Sequence, residues 1–333
     1  MMKLASNVLS LQLDRVTRRK CSVNVETWRV ETTGLSEWFR KIHRYCWTAG
    51  AVTLLAAFLG LAMWASRPST LFPVLKNGKY GFIDTSGKLV VQPRFDHANP
   101  FSDGLAPVSI ANHWGYVNGS GKVVVNPQFD MADQFSDGLA LAETGGRLGY
   151  IDKSGKYRIH PQYERAGRFG DGRAPVLVNG RWGYIGKDGK MAIAPQFEEG
   201  GKFSEKLAAV RAGNKCGYID RSGKMAIVPQ FISGGDFHDG LAAVRLGNKY
   251  GYIDKTGTVV IAPQFDSVGD FSDGLALAAI GGRYGFIDRK GKYSINPQFE
   301  NAGNFRAGLA PVWSGDLAGY IDRNGKYVWS PTS

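Results

Sequence analysis

Two patterns of apolar and polar positions divide the chain. From Tyr45 to Ser66 no residue is charged, the run reading YCWTAGAVTLLAAFLGLAMWAS. As a helix rising about 1.5 Å per residue it is roughly 30 Å long, the thickness of a bilayer's hydrocarbon core. It has no polar face, which argues against a buried helix of a soluble core. Trp47 and Trp64 sit near its two ends, where indole rings favour the membrane interface. Just upstream, Leu35, Trp38, Phe39 and Ile42 recur at helical spacing, with Ser36 placed to cap. The pattern therefore predicts a juxtamembrane amphipathic helix over 35–44 and a transmembrane helix over 45–66. Residues 1–34 show no period and read as a loosely ordered basic tail.

From Leu71 onward the pattern changes to short β-branched and aromatic runs between turn residues. Glycine followed by an aromatic occurs at Gly81-Phe82, Gly115-Tyr116, Gly149-Tyr150, Gly183-Tyr184, Gly217-Tyr218, Gly251-Tyr252, Gly285-Phe286 and Gly319-Tyr320, always 34 residues apart. Helical tetratricopeptide repeats share that period, so content must decide. Each unit holds Gly-bearing turns and a proline, such as Pro127 and Pro263, and none has a long helix-forming stretch. In residues 173–206, Ala174 to Val178 reads as a strand and Asn179-Gly180 as a hairpin turn, because both residues tolerate positive φ. Arg181 to Ile185 returns, Lys187 to Lys190 turns again, and Met191 to Phe197 is a third strand. Glu198 to Lys206 is a link to the next unit.

The expected fold is all-β: eight three-stranded antiparallel meander units, 71–104, 105–138, 139–172, 173–206, 207–240, 241–274, 275–308 and 309–333. Small first strands and proline-bearing third strands suit blades around an axis, a propeller-like ring. An open superhelix of stacked units is the alternative.

The recurring side chains read as structural. Asp84, Asp152, Asp220, Asp254, Asp288 and Asp322 precede the second turn, where a carboxylate accepts backbone N–H groups. A lysine follows most of these turns and opposes a calcium reading, since calcium needs six to eight oxygens. Asn118 keeps the turn role and Gly186 loses it. Proline in the third strand marks a sheet edge. Two aromatic rows, one through Phe95, Phe129 and Phe197 and one through Phe101, Phe135 and Phe203, supply core burial that a lone meander lacks. Lys206 replaces a link glycine and Arg173 a first-strand leucine, the clearest departures from the repeat.

Charge sets topology. Among 41 Lys+Arg and 29 Asp+Glu, residues 1–44 carry nine basic and four acidic side chains. The positive-inside rule then puts the N-terminus in the cytoplasm and residues 71–333 on the outer side, with the segment kept as an anchor rather than cleaved as a leader. Three cysteines exclude a disulfide scaffold and a four-cysteine zinc site. Cys216, the only one in the repeats, reads as a buried small hydrophobe.

The motifs Arg181-Trp182-Gly183-Tyr184-Ile185, Lys79-Tyr80-Gly81-Phe82-Ile83-Asp84 and Phe271-Ser272-Asp273-Gly274-Leu275-Ala276 together resemble the WG (KWG) β-repeat family of bacterial proteins. The resemblance covers 71–333. The eponymous tryptophan stands only at Trp114 and Trp182; Leu148, Cys216 and Ala318 depart from it. The resemblance implies an envelope or surface binding module and supplies no catalytic residue.

The functional expectation is a non-catalytic binding or scaffold protein, anchored in the inner membrane through 45–66, with its repeats in the periplasm or at the cell surface. Its partner would be a protein or an envelope polymer, not nucleic acid. No catalytic, cofactor-binding or metal-ligating residue is singled out and no cofactor is expected. The alternative is an envelope glycan-acting enzyme using paired carboxylates. Against it, the acids fall in repeated rows, such as Asp103, Asp137, Asp171, Asp239 and Asp273, while His97, His113, His160 and His238 occupy four unlike positions.

Overall fold

The computed structural model describes residues 70–315 and 317–331. The expected tail (1–34), amphipathic helix (35–44) and transmembrane helix (45–66) lie outside these residues. Among the described residues no helix is long and apolar enough to cross a membrane.

Residues 70–331 form eight small antiparallel sheets in chain order, the blades of a propeller. In the second blade the strands are Leu105–Ile110, His113–Asn118 and Val123–Phe129. The three strands expected for each unit are present, and the link adds to them. His97–Ala98, in the link after the first unit, pairs with Leu105–Ile110 and becomes a short fourth strand. Six blades are four-stranded in this way. In the fourth blade the link contributes only an isolated bridge, Ala166 to Val176. Each blade after the first thus draws on the link that precedes it. The first strand is buried along most of its length, whereas the third is exposed at alternate residues. The third strand is therefore the outer edge and the link strand faces the ring axis.

The glycine and the proline of each unit are two halves of one device. Trp182 pairs with Phe197 and Tyr184 with Ile193, so Ala194, Pro195 and Gln196 bulge opposite the single residue Gly183. The bulge presses backbone onto Gly183: a Cβ there would meet Ile193 O at 2.7 Å and Pro195 N at 2.8 Å. Only glycine fits beneath the bulge, and proline is tolerated because a bulged edge residue owes no ladder bond. The second turn behaves as its aspartate requires. Asp84 Oδ1 accepts from Ser86 N (2.9 Å), Ser86 Oγ (2.6 Å) and Lys88 N (3.0 Å), and these donors hold its carboxyl below the usual range. Where Gly186 replaces the aspartate, Asp188 caps the same turn by accepting from Lys190 N at 3.1 Å.

The core is a succession of clusters astride blade boundaries, and both aromatic rows are buried in it. Tyr116 meets Phe135 at 4.8 Å and Tyr218 meets Phe237 at 4.9 Å, edge-on or tilted, as ring quadrupoles favour. Each of these tyrosines also donates to a carbonyl of the next blade's link, for example Tyr116 to Asp133 O at 2.7 Å. Burial pushes both phenols far above their ordinary pKa.

The array closes. One cluster joins Phe72, Val74 and Ile83 of the first blade to Leu309 and Tyr320 of the last. Phe72 and Tyr320 pack edge to face at 5.3 Å. Elsewhere a link N–H donates to the first-strand carbonyl, as Asn99 does to Pro107 O. At the closure the Tyr320 hydroxyl takes that place and donates to Pro73 O at 2.8 Å. Of the two arrangements left open by the sequence, the ring is the one formed.

Candidate functional site

The repeats hold one frame constant and vary one row. At the hairpin end of each four-stranded blade, cross-strand pairing aligns a link-strand residue, a first-strand residue and the residue before the conserved glycine. In the second blade these are His97, Ser109 and Trp114. The same row reads Met131-Glu143-Leu148 in the third blade, Glu199-Arg211-Cys216 in the fifth, Ser233-Arg245-Tyr250 in the sixth and Asn301-Trp313-Ala318 in the eighth. One step along the second strand every blade has the same glycine. Chemistry changes from blade to blade on a fixed scaffold, as expected of a repeat surface that carries recognition.

Between the first and second blades the row opens a cleft of about 410 Å³, lined by Tyr80, His97, Ala98, Asn99, Ser109, Asn112 and Trp114. His97 lies between Tyr80 and Trp114, 6.2 Å from each ring centre. In the fourth and sixth blades an arginine sits over the aromatic: Arg165 over Trp182 at 5.6 Å and Arg245 over Tyr250 at 5.9 Å. Cys216 is buried where other blades carry an aromatic. Burial pushes its thiol up to about 11, so it is protonated at neutral pH and a poor nucleophile.

An ionic latch crosses the blade boundaries beside this row. At five boundaries the base that follows the hairpin turn reaches an acid that follows the third strand. Lys79 meets Asp96 at 2.5 Å, Arg147 meets Glu164 at 3.1 Å, and Lys249 bonds Asp266. The acid often has a second role, accepting the N–H of its own blade's hairpin turn: Asp96 from Ala111 N at 2.8 Å and Glu300 from Gly315 N at 2.8 Å. The Lys79 ammonium and the Ala111 N–H together hold the Asp96 carboxyl low.

Toward the axis, one link residue per blade forms a polar belt. Gln134 donates to Pro100 O, and Arg168 grips Asp133 through two bonds and Gln134 through a third. Lys202 lies 3.9 Å from Asp236, and His238 Nε2 lies 3.6 Å from Asp270. Burial pushes the Asp236 and Asp270 carboxyls up, against the opposing pull of Lys202 and His238. The acids of the row Asp103, Asp137 and Asp273 adopt the left-handed turn conformation expected of turn residues. They also clamp neighbouring blades, Asp103 accepting from Gly138 N at 3.0 Å and Asp273 from Gly308 N at 2.7 Å. Of the two departures noted in the sequence, Lys206 takes φ 74° at its turn, and Arg173 buries an Nε without a partner. Among the described residues no group of three His, Cys, Asp or Glu side chains is placed to hold a metal ion.

The raised Asp236 carboxyl yields a prediction. A carboxyl raised on folding opposes the folded state while ionised, and acidification through the raised pKa relieves that cost. Asp236→Asn is therefore expected to raise the thermal midpoint at pH 7 by about 2 °C, with the gain shrinking as pH falls toward 4. Thermal scans of both chains across that range check it.

The sequence reading missed the row and the latch. A row emerges only when strand register is known, since its three members are distant in sequence. The latch had a signal, a base and an acid 17 residues apart in unit after unit, as at Lys79 and Asp96.

The comparisons agree with this architecture. Seven segments, 80–112, 114–147, 149–182, 182–216, 217–250, 250–284 and 284–312, match the WG containing repeat. No curated protein matches the chain. Among solved structures, one described as a eukaryotic initiation factor is 12% identical with a TM-score of 0.50, covering 80% of this chain and 85% of its own. The dihydro-heme d1 dehydrogenase NirN is 15% identical with a TM-score of 0.51, covering 78% and 72%. These likenesses speak to the fold alone. With the matched segments running almost unbroken from the first blade into the eighth, the chain belongs to the WG containing repeat family, built here as an eight-bladed β-propeller.

Proposed function

We propose that this protein is a non-catalytic binding platform, anchored in a membrane through residues 45–66, which presents the variable hairpin-end row of its propeller outside the cytoplasm. The observation that carries the reading is the contrast between an invariant frame and a row whose members are aromatic, cationic, anionic or small from blade to blade. Such a surface recognises an extended partner at several points and has no single reacting centre. The uncharged run and the basic excess before it support the anchor and its orientation. The partner is a protein or an envelope polymer, and nucleic acid is not expected on that side of a membrane.

The enzyme alternative rests on Asp236 and Asp270, the two carboxyls that burial raises. They occupy the same link position in consecutive blades and engage Lys202 and His238, which supports a structural part for them in the belt.

The test places a photocrosslinking residue at Trp114 or Trp182 in the row, and at Gln230 on the exposed outer edge, in intact cells. A reporter fused to the C-terminus reads topology in the same strain. The expected result is adducts from the row positions, none from Gln230, and a reporter active only outside the cytoplasm. Equal adducts from all three positions, or a reporter active in the cytoplasm, would contradict the reading.

A further inference from the structure

The boundary between the fifth and sixth blades breaks the latch. The position after the third strand is acidic at every other described boundary, as at Asp96, Glu198 and Asp266, but is Ile232 here. The base is nevertheless retained. Lys215 corresponds to Lys79 and Lys249, yet among the described residues no carboxylate lies within ion-pairing distance of it. The Gly247 N–H corresponds to the turn N–H groups of Gly213 and Gly281, which Glu198 and Asp266 accept, and no side chain accepts it.

Two arginines flank the same residue. Ile232 N donates to Arg245 O at 3.0 Å, and Arg211 donates to Ile232 O at 3.2 Å. Arg211 is neutralised by Glu199 at 3.0 Å. Arg245 has no carboxylate partner among the described residues, and its Nε is buried without an acceptor. Its guanidinium lies over Tyr250, which orients it and leaves its charge unpaired. The boundary thus keeps the cationic half of a latch that five other boundaries complete from within the chain.

We propose that this boundary is a docking site for an acidic peptide segment of a partner protein, whose Asp or Glu carboxylate takes the place that Ile232 leaves unfilled, against Lys215, Arg245 and the Gly247 N–H. The proposal rests on the platform reading and gives it a location and a partner chemistry. Four equivalent boundaries show what the position accepts: a side-chain carboxylate held by one ammonium or guanidinium and one turn N–H. Ile232 is 37% exposed. An exposed aliphatic side chain at a position with unpaired cationic residues on the neighbouring strands fits a peptide that combines acidic and apolar side chains. A uronic-acid polymer would lay hydroxyls on that isoleucine and lose their hydrogen bonds to water.

The test uses the full chain in non-ionic detergent and a fluorescein-labelled nonapeptide of three Glu-Leu-Asp repeats, with labelled oligogalacturonate as the second probe. Fluorescence anisotropy reads affinity, and a thermal scan reads folding. Ile232→Glu closes the latch from within and is expected to weaken the nonapeptide about tenfold or more without lowering the thermal midpoint. Lys215→Ala is the second variant and is expected to weaken it by about the same factor. Lys79→Ala, at a boundary already neutralised by Asp96, is expected to change affinity less than about twofold. The proposal is overturned if the unaltered chain does not bind the nonapeptide, if either site variant binds as the unaltered chain does, if Lys79→Ala loses as much, or if oligogalacturonate binds in preference. Row crosslinks that persist while the nonapeptide fails would remove this site and leave the platform standing.

Discussion

Gly183→Ala is expected to destabilise the propeller by about 3 kcal/mol, the upper end of ordinary overpacking costs. The reason is geometric. The new methyl carbon would lie 2.7 Å from Ile193 O and 2.8 Å from Pro195 N, both backbone atoms of a bulge pinned on either side by the pairs Trp182–Phe197 and Tyr184–Ile193. Side-chain rotation cannot relieve a clash between a Cβ and backbone, so the third strand must leave its register. Gly180→Ala supplies the control. Gly180 has φ +75° and nothing within 4 Å of a Cβ, so the cost there is only the left-handed conformation, about 1 kcal/mol. Denaturant unfolding of the two variants should give clearly separated midpoints, with Gly183→Ala the lower.

A chain ending at residue 308 is expected to lose far more than one blade's share of stability. Removing the last blade uncovers Phe72, Val74 and Ile83, all buried in the closing cluster, and removes the Tyr320 hydroxyl from Pro73 O. At about 1.5–3 kcal/mol for each large apolar side chain returned to water, the closing interface alone is comparable with the whole net stability of an ordinary domain. An open stack would behave differently, because its units interact only with neighbours and the loss of a terminal unit subtracts one increment. Thermal unfolding of the shortened chain should show collapse of the main transition, not a modest shift.

The sequence carried the architecture because the period is unbroken. Gly115-Tyr116 and Gly251-Tyr252 sit in one register, and turn pairs such as Asn179-Gly180 declare a hairpin locally. What it could not carry depends on contacts between units. The proline in the third strand read as an edge marker, which it is, but its coupling to Gly183 runs through a bulge visible only once strands are paired. The link read as a connector because a two-residue strand such as His97–Ala98 has no period of its own and is defined by its partner, Leu105–Ile110. Closure depends on Phe72 meeting Tyr320, 248 positions away, and no local pattern distinguishes that from continued stacking. The same holds for function. Ile232 is an unremarkable aliphatic in sequence and becomes informative only beside Lys215 and Arg245, when the equivalent boundaries show an acid in its place.

The central claim is that the eight blades form a closed ring, and amide hydrogen exchange of the first blade tests it most directly. In the chain ending at residue 308, closure predicts that the amides of Lys79–Ile83 and Leu89–Phe95 lose protection along with the blade's packing against Tyr320. First-blade protection equal to that of the full chain would contradict the ring.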